Sequence, residues 1–255
     1  MQRRNFLVAA GAAFLAGCNE IGDSAWFGKV VDGAQNWHRG LHRALGGGRI
    51  TMAPEYDRSA ISPVFRANGN RTVDTDAYRA AEAEGFANWR LSVSGLVDNP
   101  AELSLEDIEA MPQRTQVTRH DCVEGWSAIG EWTGPQLSTI LEAAGVQPEA
   151  NFIVFRCADF FMRGPADNRR QVDYYESCDM DDAMHPQTIV AHQLNGETLP
   201  VANGAPLRMR LERQLGYKHA KYLTGIEVVA SLDDINGGEG GYWEDVAGYQ
   251  WYAGI

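Results

Sequence analysis

Apolar positions recur at helical spacing in a few short stretches of this chain and alternate like strands in several others. Residues 76–85 (DAYRAAEAEG) predict a helix that stops at Gly85. Trp89–Val93 alternates as a half-buried strand does. Ser104, with Asp107 three residues on, predicts a capped helix running to Met111 and broken at Pro112. Thr115–Arg119 reads as a short strand, and Gln136–Ala144 as an amphipathic helix ended by Gly145. Phe152–Arg156 is a buried-strand run, followed by an irregular, charge-rich stretch over 159–175. Gln187–Leu194 is strand-like and meets Asn195-Gly196, a strong hairpin turn. Leu207–Leu211 and Tyr222–Val229 predict further strands, and the tail from Gly237 is rich in glycine and aromatic residues. Residues 19–75 show little periodicity apart from one helix predicted over Trp37–Leu45. Short strands mixed with scattered short helices, without internal repeats, predict the α+β class, with mixed sheets.

Composition narrows this picture. The chain has 255 residues, 44% hydrophobic and 22% charged, so a core can form and collagen-like, coiled-coil and disordered classes are excluded. The balance of 22 basic against 34 acidic residues, net -12, argues against nucleic acid as a partner, because phosphate attraction needs clustered cations. Near the start, Arg3-Arg4 precede Phe6-Leu7 and an apolar run from Val8 to Leu15. That run falls short of the roughly 20 residues a membrane span needs, and it predicts an export signal of twin-arginine type. Leu15-Ala16-Gly17-Cys18 has the form of a lipobox, which makes Cys18 a candidate lipid anchor. The expected organisation is an export signal over 1–17, an arm over 18–60 and one domain over 61–255. The expected location is the periplasm or the outer face of the cytoplasmic membrane. The twin-arginine route carries folded proteins, which hints at a cofactor inserted before export.

Beyond Cys18, three cysteines remain, Cys122, Cys157 and Cys178. An odd number in an oxidising compartment leaves at least one free thiol, either buried or reactive. Thr118-Arg119-His120-Asp121-Cys122-Val123-Glu124-Gly125-Trp126 sets Cys122 just after a strand, beside a cation and an imidazole that favour its thiolate. A cysteine hydrolase with His120 as base is disfavoured, since nucleophile and base usually come from separate segments. Zinc is poorly supported without paired Cys or His spacing. Against the acidic trend, residues 208–221 hold Arg208, Arg210, Arg213, Lys218 and Lys221, a segment suited to a small anion such as phosphate. Met209, Leu211 and the tryptophans read as core.

Together, CVEGW at 122–126, HPQTIVAHQLNGETLPVANGAPLRMR at 185–210 and GYKHAKYL at 216–223 resemble the sulfite oxidase family of molybdopterin oxidoreductases. Within it, the Cys-Val-Glu-x-Trp stretch is similar to the periplasmic methionine-sulfoxide reductase branch. Sulfite oxidases proper usually follow the cysteine with Ala-Gly-Asn-Arg, which is absent here. The resemblance implies a single sulfite-oxidase-type molybdopterin-binding domain. It also implies that Cys122 binds molybdenum through its thiolate, beside the dithiolene sulfurs of one pterin per metal. Arg208, His219, Ala220 and Lys221 would hold the pterin and its phosphate, with Asn203 bonded to it and Cys157 in contact. Asn68 would lie near the metal, with Arg71 and Thr72 on the pterin, and Arg119 and His120 would join Asn68 and Cys122 in catalysis. The chemistry implied is oxygen-atom transfer, with reduction of a sulfoxide such as methionine sulfoxide favoured over sulfite oxidation to sulfate. The chain shows no haem or iron–sulfur motif, so electrons would come through a membrane haem protein or a cytochrome c. A reading from another class is a molybdopterin-binding lipoprotein without turnover.

Overall fold

A computed structural model describes residues 51–255, together with Gly40 and Leu41, which are helical. The export signal, Cys18 and the rest of the Trp37–Leu45 helix lie outside the described residues. A compact unit spans Ile50–Ile255. Residues 51–60, which fall in the expected arm, lie along the unit: the Tyr56 amide bonds to the Val117 carbonyl, and Glu55 bridges to Thr118.

Helix α1 (Asp76–Ala83) starts where Thr75 caps the amide of Tyr78. Strands β1 (Leu91–Gly95) and β2 (Ala101–Leu103) form a hairpin. Helix α2 (Leu105–Ala110) carries the predicted capping box between Ser104 and Asp107. Strands β3 (Gln113–Cys122) and β4 (Trp126–Pro135) pair in unbroken antiparallel register from Gln113↔Pro135 to Cys122↔Trp126. Helix α3 (Leu137–Ala144) ends at Gly145 as expected.

Next come β5 (Phe152–Arg163) and β6 (Arg170–Asp179), then the short helix α4 (Met180–Ala183). The stretch expected to be irregular over 159–175 is thus the outer half of a long hairpin. Its charge-rich alternation disguised it, because that half has little core to cover: residues 162–171 are exposed. Strands β7 (Ile189–Ala191), β8 (Gln193–Leu194) and β9 (Glu197–Thr198) follow, with Asn195 and Gly196 both at positive φ in the turn, as a two-residue hairpin demands. Strands β10 (Arg208–Arg210) and β11 (Leu223–Val229) and helix α5 (Tyr242–Ala247) complete the unit.

The main sheet has the order β2-β1-β11-β5-β6, mixed because β1 and β11 run parallel and the other pairs antiparallel. A four-stranded sheet β3-β4-β8-β9 and a two-stranded sheet β10-β7 stand beside it. The largest core joins the main sheet to α2 and α3 through Leu91, Ile108, Leu137, Ile140, Phe155, Ile226 and Val228, and takes in Met209 and Leu211. A smaller core gathers Trp132, Ile189, Ala191, Leu194 and Leu199 under the four-stranded sheet. The fold is α+β with mixed sheets and short helices, as the sequence leads one to expect.

Candidate functional site

Cys122 stands at the last paired position of β3, where the long β3–β4 hairpin turns through Val123–Gly125. Strand alternation puts Gln116, Thr118, His120 and Cys122 on one buried face. Arg119 falls on the other, half-exposed and paired with Asp121 at 2.9 Å. The structure therefore does not bring Arg119 to the site, for the same one-residue alternation that buries its neighbours.

Cys122 opens on a cavity of about 150 Å3. Asn68, His219 and Lys221 line it with Cys122, and so do Gly69, Asn70, Glu124 and Asp159. An aromatic wall of Phe161, Tyr174, Tyr217, Trp243 and Tyr249 closes one side, with the Trp243 and Tyr249 rings stacked at 5.7 Å. Sequence reading missed Asn70, Asp159 and this wall. Its only trace was the aromatic richness of the tail and of the run around Phe160.

His120 lies beneath this arrangement. Its ring is fully buried, 5.0 Å from that of His219, and Gly216 rests against it so closely that a Cβ would lie 2.4 Å from Nε2. Arg210 donates to His120 Nδ1 at 2.9 Å, so the ring proton sits on Nε2. His219 has the same tautomer: Nε2 donates to the carbonyls of Leu211 and Gln214, leaving Nδ1 a bare acceptor. Burial, then neighbouring cationic and imidazole groups, hold both histidines neutral, well below the usual range.

The five cations of the basic segment divide sharply. Arg210 is held by Glu212 at 2.6 Å, Arg213 by Asp182, and Lys218 by Glu176 and Glu244 at 2.6 and 2.7 Å. Arg208 and Lys221 bond to no carboxylate. Arg208 is fully buried, donates to the carbonyls of Asn203 and His219, and packs 4.9 Å from the Trp132 ring. Lys221 Nζ donates to the carbonyls of Asn68, Asn70 and Ala202. Burial, then repulsion from Arg210, pushes Arg208 down to about 9; burial, then repulsion from Arg208, pushes Lys221 down to about 7. Two neighbouring buried cations with no carboxylate bonded to either among the described residues are costly unless an anion joins them.

The remaining candidates are placed as follows. Asn203 is buried with its Nδ2 unpartnered, and the buried Ala220 carbonyl accepts the Met209 amide at 2.7 Å. Cys157 does not line the cavity, and burial raises its thiol well above its ordinary range. Arg71 and Thr72 are exposed and do not line the cavity, because the chain turns outward after Asn70. Trp126, read with the other tryptophans as core, leans on His120 and donates to Glu124. Burial raises the Cys122 thiol above its ordinary range.

These residues fit a phosphorylated, hydrogen-bonding heterocycle. Asn68 Oδ1 and His219 Nδ1 belong to residues lining the cavity and lack partners, as do the buried Asn203 Nδ2 and Arg208 Nε, although neither Asn203 nor Arg208 lines it. Among the described residues, no group of three His, Cys, Asp or Glu side chains is placed to hold a metal, so a metal at Cys122 would draw its other ligands from elsewhere.

A mixed-sheet α+β domain with a cysteine opening on a cleft beside unpartnered buried polar atoms defines a class. Residues 78–234 match the oxidoreductase molybdopterin binding domain, and the chain belongs to that family. It is 40% identical over 203 residues to an Azospira oryzae protein provisionally named protein-methionine-sulfoxide reductase subunit YedZ1, across 80% of this chain and 68% of that one. It is 31% identical over 183 residues to the protein-methionine-sulfoxide reductase catalytic subunit MsrP of Xanthomonas campestris pv. campestris, across 69% of this chain and 57% of that one. In fold it is similar to the sulfane dehydrogenase SoxCD of Paracoccus pantotrophus, with a TM-score of 0.50 and 23% identity over 57% of this chain and 39% of the other.

Proposed function

We propose that this chain is an exported molybdopterin enzyme that reduces a sulfoxide such as methionine sulfoxide to the thioether and water, taking up two protons and two electrons. The observation that carries this reading is the character of the cavity. Two carboxyls, Glu124 and Asp159, and five aromatic rings line it, while its lone ammonium, Lys221, is committed to carbonyl oxygens. Sulfite is a small dianion that needs converging cations, whereas a neutral sulfoxide needs few donors and an apolar wall. Arg163, Arg169 and Arg170 lie at the exposed end of the β5–β6 hairpin and line no part of the cavity. The names of the Azospira and Xanthomonas relatives support the same substrate class.

When bound, the molybdenum cofactor, one pterin per metal, supplies the redox and oxygen-transfer chemistry. Cys122 would be its protein thiolate ligand. Arg208 and Lys221 would balance its phosphate, Asn203 and His219 would bond to it, and Asn68 would face the reacting oxygen. The aromatic wall would exclude water and seat the substrate's alkyl groups. Electrons would arrive from a separate membrane haem protein or cytochrome c.

Rates with methionine sulfoxide and a reduced dye, set against sulfite and an oxidised dye, test the reading. Efficient sulfite oxidation with negligible sulfoxide reduction would reverse the substrate, and molybdenum far below one equivalent in folded protein would remove the cofactor. For the export step, Arg3→Lys with Arg4→Lys should strand the protein in the cytoplasm, and Cys18→Ala should block lipid attachment. Normal export of the double variant would refute the twin-arginine route.

A further inference from the structure

The pairing of β5 with β6 shifts register between Arg156 and Phe160, and Asp159, inside that break, lines the cavity. Breaks of this kind re-aim side chains beside functional sites. The Asp159 residue is only 4% exposed. Its Oδ2 accepts from Asn70 Nδ2 at 3.0 Å, and its Oδ1 is buried without a partner.

A buried carboxyl with one oxygen unengaged is costly, and the donors around it are committed elsewhere. Lys221 serves the carbonyls of Asn68, Asn70 and Ala202. The hydroxyl of Tyr174 is given to the Tyr217 carbonyl, that of Tyr222 to Asn70, and that of Tyr78 to Ala205. Two further acceptors on the same cavity, Asn68 Oδ1 and His219 Nδ1, also lack donors. Three unsatisfied acceptors facing one space call for a ligand edge rich in N–H groups. A phosphate cannot supply it, being an anionic acceptor itself. An aminopyrimidinone ring can, since its amino group and ring N–H lie side by side.

We propose that Asp159 Oδ1 accepts a hydrogen bond from the N–H edge of the pterin, with Asn68 and His219 beside it. The inference rests on the molybdopterin reading above. It also orients the ligand. The pterin edge meets the acceptors, and the phosphate falls to Arg208, whose Nε is an unpartnered donor.

The test is Asp159→Asn, made in the full chain and purified both from a host that makes molybdopterin and from one that does not. The amide can still offer its oxygen to Asn70, but it then turns an N–H towards the ligand's own donors. Pterin per chain, read from its oxidised fluorescent derivative, and molybdenum per chain follow cofactor loss after dilution. The variant should lose cofactor about ten- to a hundredfold faster than wild type. Its cofactor-free form should melt at or above the cofactor-free wild type, because an unpaired buried carboxyl is gone. Equal retention overturns the proposal, as does lost turnover at full occupancy. A cofactor-free variant that melts well below its wild-type counterpart, or fails to fold, assigns Asp159 a structural role and overturns it too. Asp159→Ala, which offers neither acceptor nor donor, should lose cofactor as the amide does. A wild-type chain that holds no pterin at all would instead remove the molybdopterin reading beneath.

Discussion

Lys218 was expected among the phosphate-seeking cations, yet it is walled in between two glutamates, and removing its charge has a calculable effect. Lys218 Nζ lies 2.6 Å from Glu176 Oε2 and 2.7 Å from Glu244 Oε1, and none of the three side chains is more than 1% exposed. In Lys218→Met the two carboxyls keep each other's company without a cation. Breaking a buried ion pair in this way costs about 3–5 kcal/mol near neutral pH. For a domain of this size that lowers the melting temperature by roughly 6–20 °C, at about 2–4 °C per kcal/mol. The pH dependence follows from Glu176, which burial already raises well above the ordinary carboxyl range. A raised carboxyl contributes stability that is full below its unfolded value and is lost as pH rises towards its folded one. Without the ammonium between them, the two buried carboxyls should hold one proton more than they do beside it. The deficit should therefore widen by about 1.4 kcal/mol for each pH unit above the ordinary carboxyl range. Thermal unfolding followed by circular dichroism at pH 5.5 and 7.5 measures it. A loss under about 1 kcal/mol, or one that does not change with pH, would refute this account of the triad.

Three further outcomes are expected. Cys122→Ser should abolish turnover while pterin stays bound, because a harder oxygen ligand changes the metal's redox balance; full activity would remove Cys122 from the metal. Arg208→Met should reduce cofactor retention about ten- to a hundredfold and leave the cofactor-free protein as stable as before or more so, read by pterin content and thermal melting. Gly216→Ala would place a Cβ 2.4 Å from His120 Nε2. That overlap should cost about 1–3 kcal/mol and lower molybdenum content, whereas a neutral effect would show that the His120 ring moves freely.

Much of this was readable along the chain because it depends on neighbours in sequence. The Ser104–Asp107 capping box, the Asn195-Gly196 turn and the helix stop at Gly145 are local patterns, and each appears as expected. Cys122, Asn68, His219 and Lys221 do meet in one cavity. What escaped notice depends on pairing across the fold. Nothing near Lys218 in sequence announces Glu176 and Glu244, so a neutralised cation looked the same as a free one. Strand β4 was missed altogether, since Gly130, Glu131 and Gly134 break its apolar pattern. Gly130 packs against Phe65 and Gly134 against the β7 backbone, partners that only the folded chain supplies. Asp159 reads as an ordinary surface charge until a register break turns it inward.

The sheet order β2-β1-β11-β5-β6 also bears on how the protein is made. The middle strand, β11, follows all the others in sequence. Until it leaves the ribosome, the β1–β2 and β5–β6 hairpins have no common partner and each keeps an open edge. The GYKHAK loop immediately before β11, which bears His219 and Lys221, takes its final place only when that strand docks. Closing the sheet and completing the cofactor cradle are therefore a single late event. A chaperone that shields those edges until the cofactor arrives would act once the other four strands of this sheet are made rather than on an early intermediate.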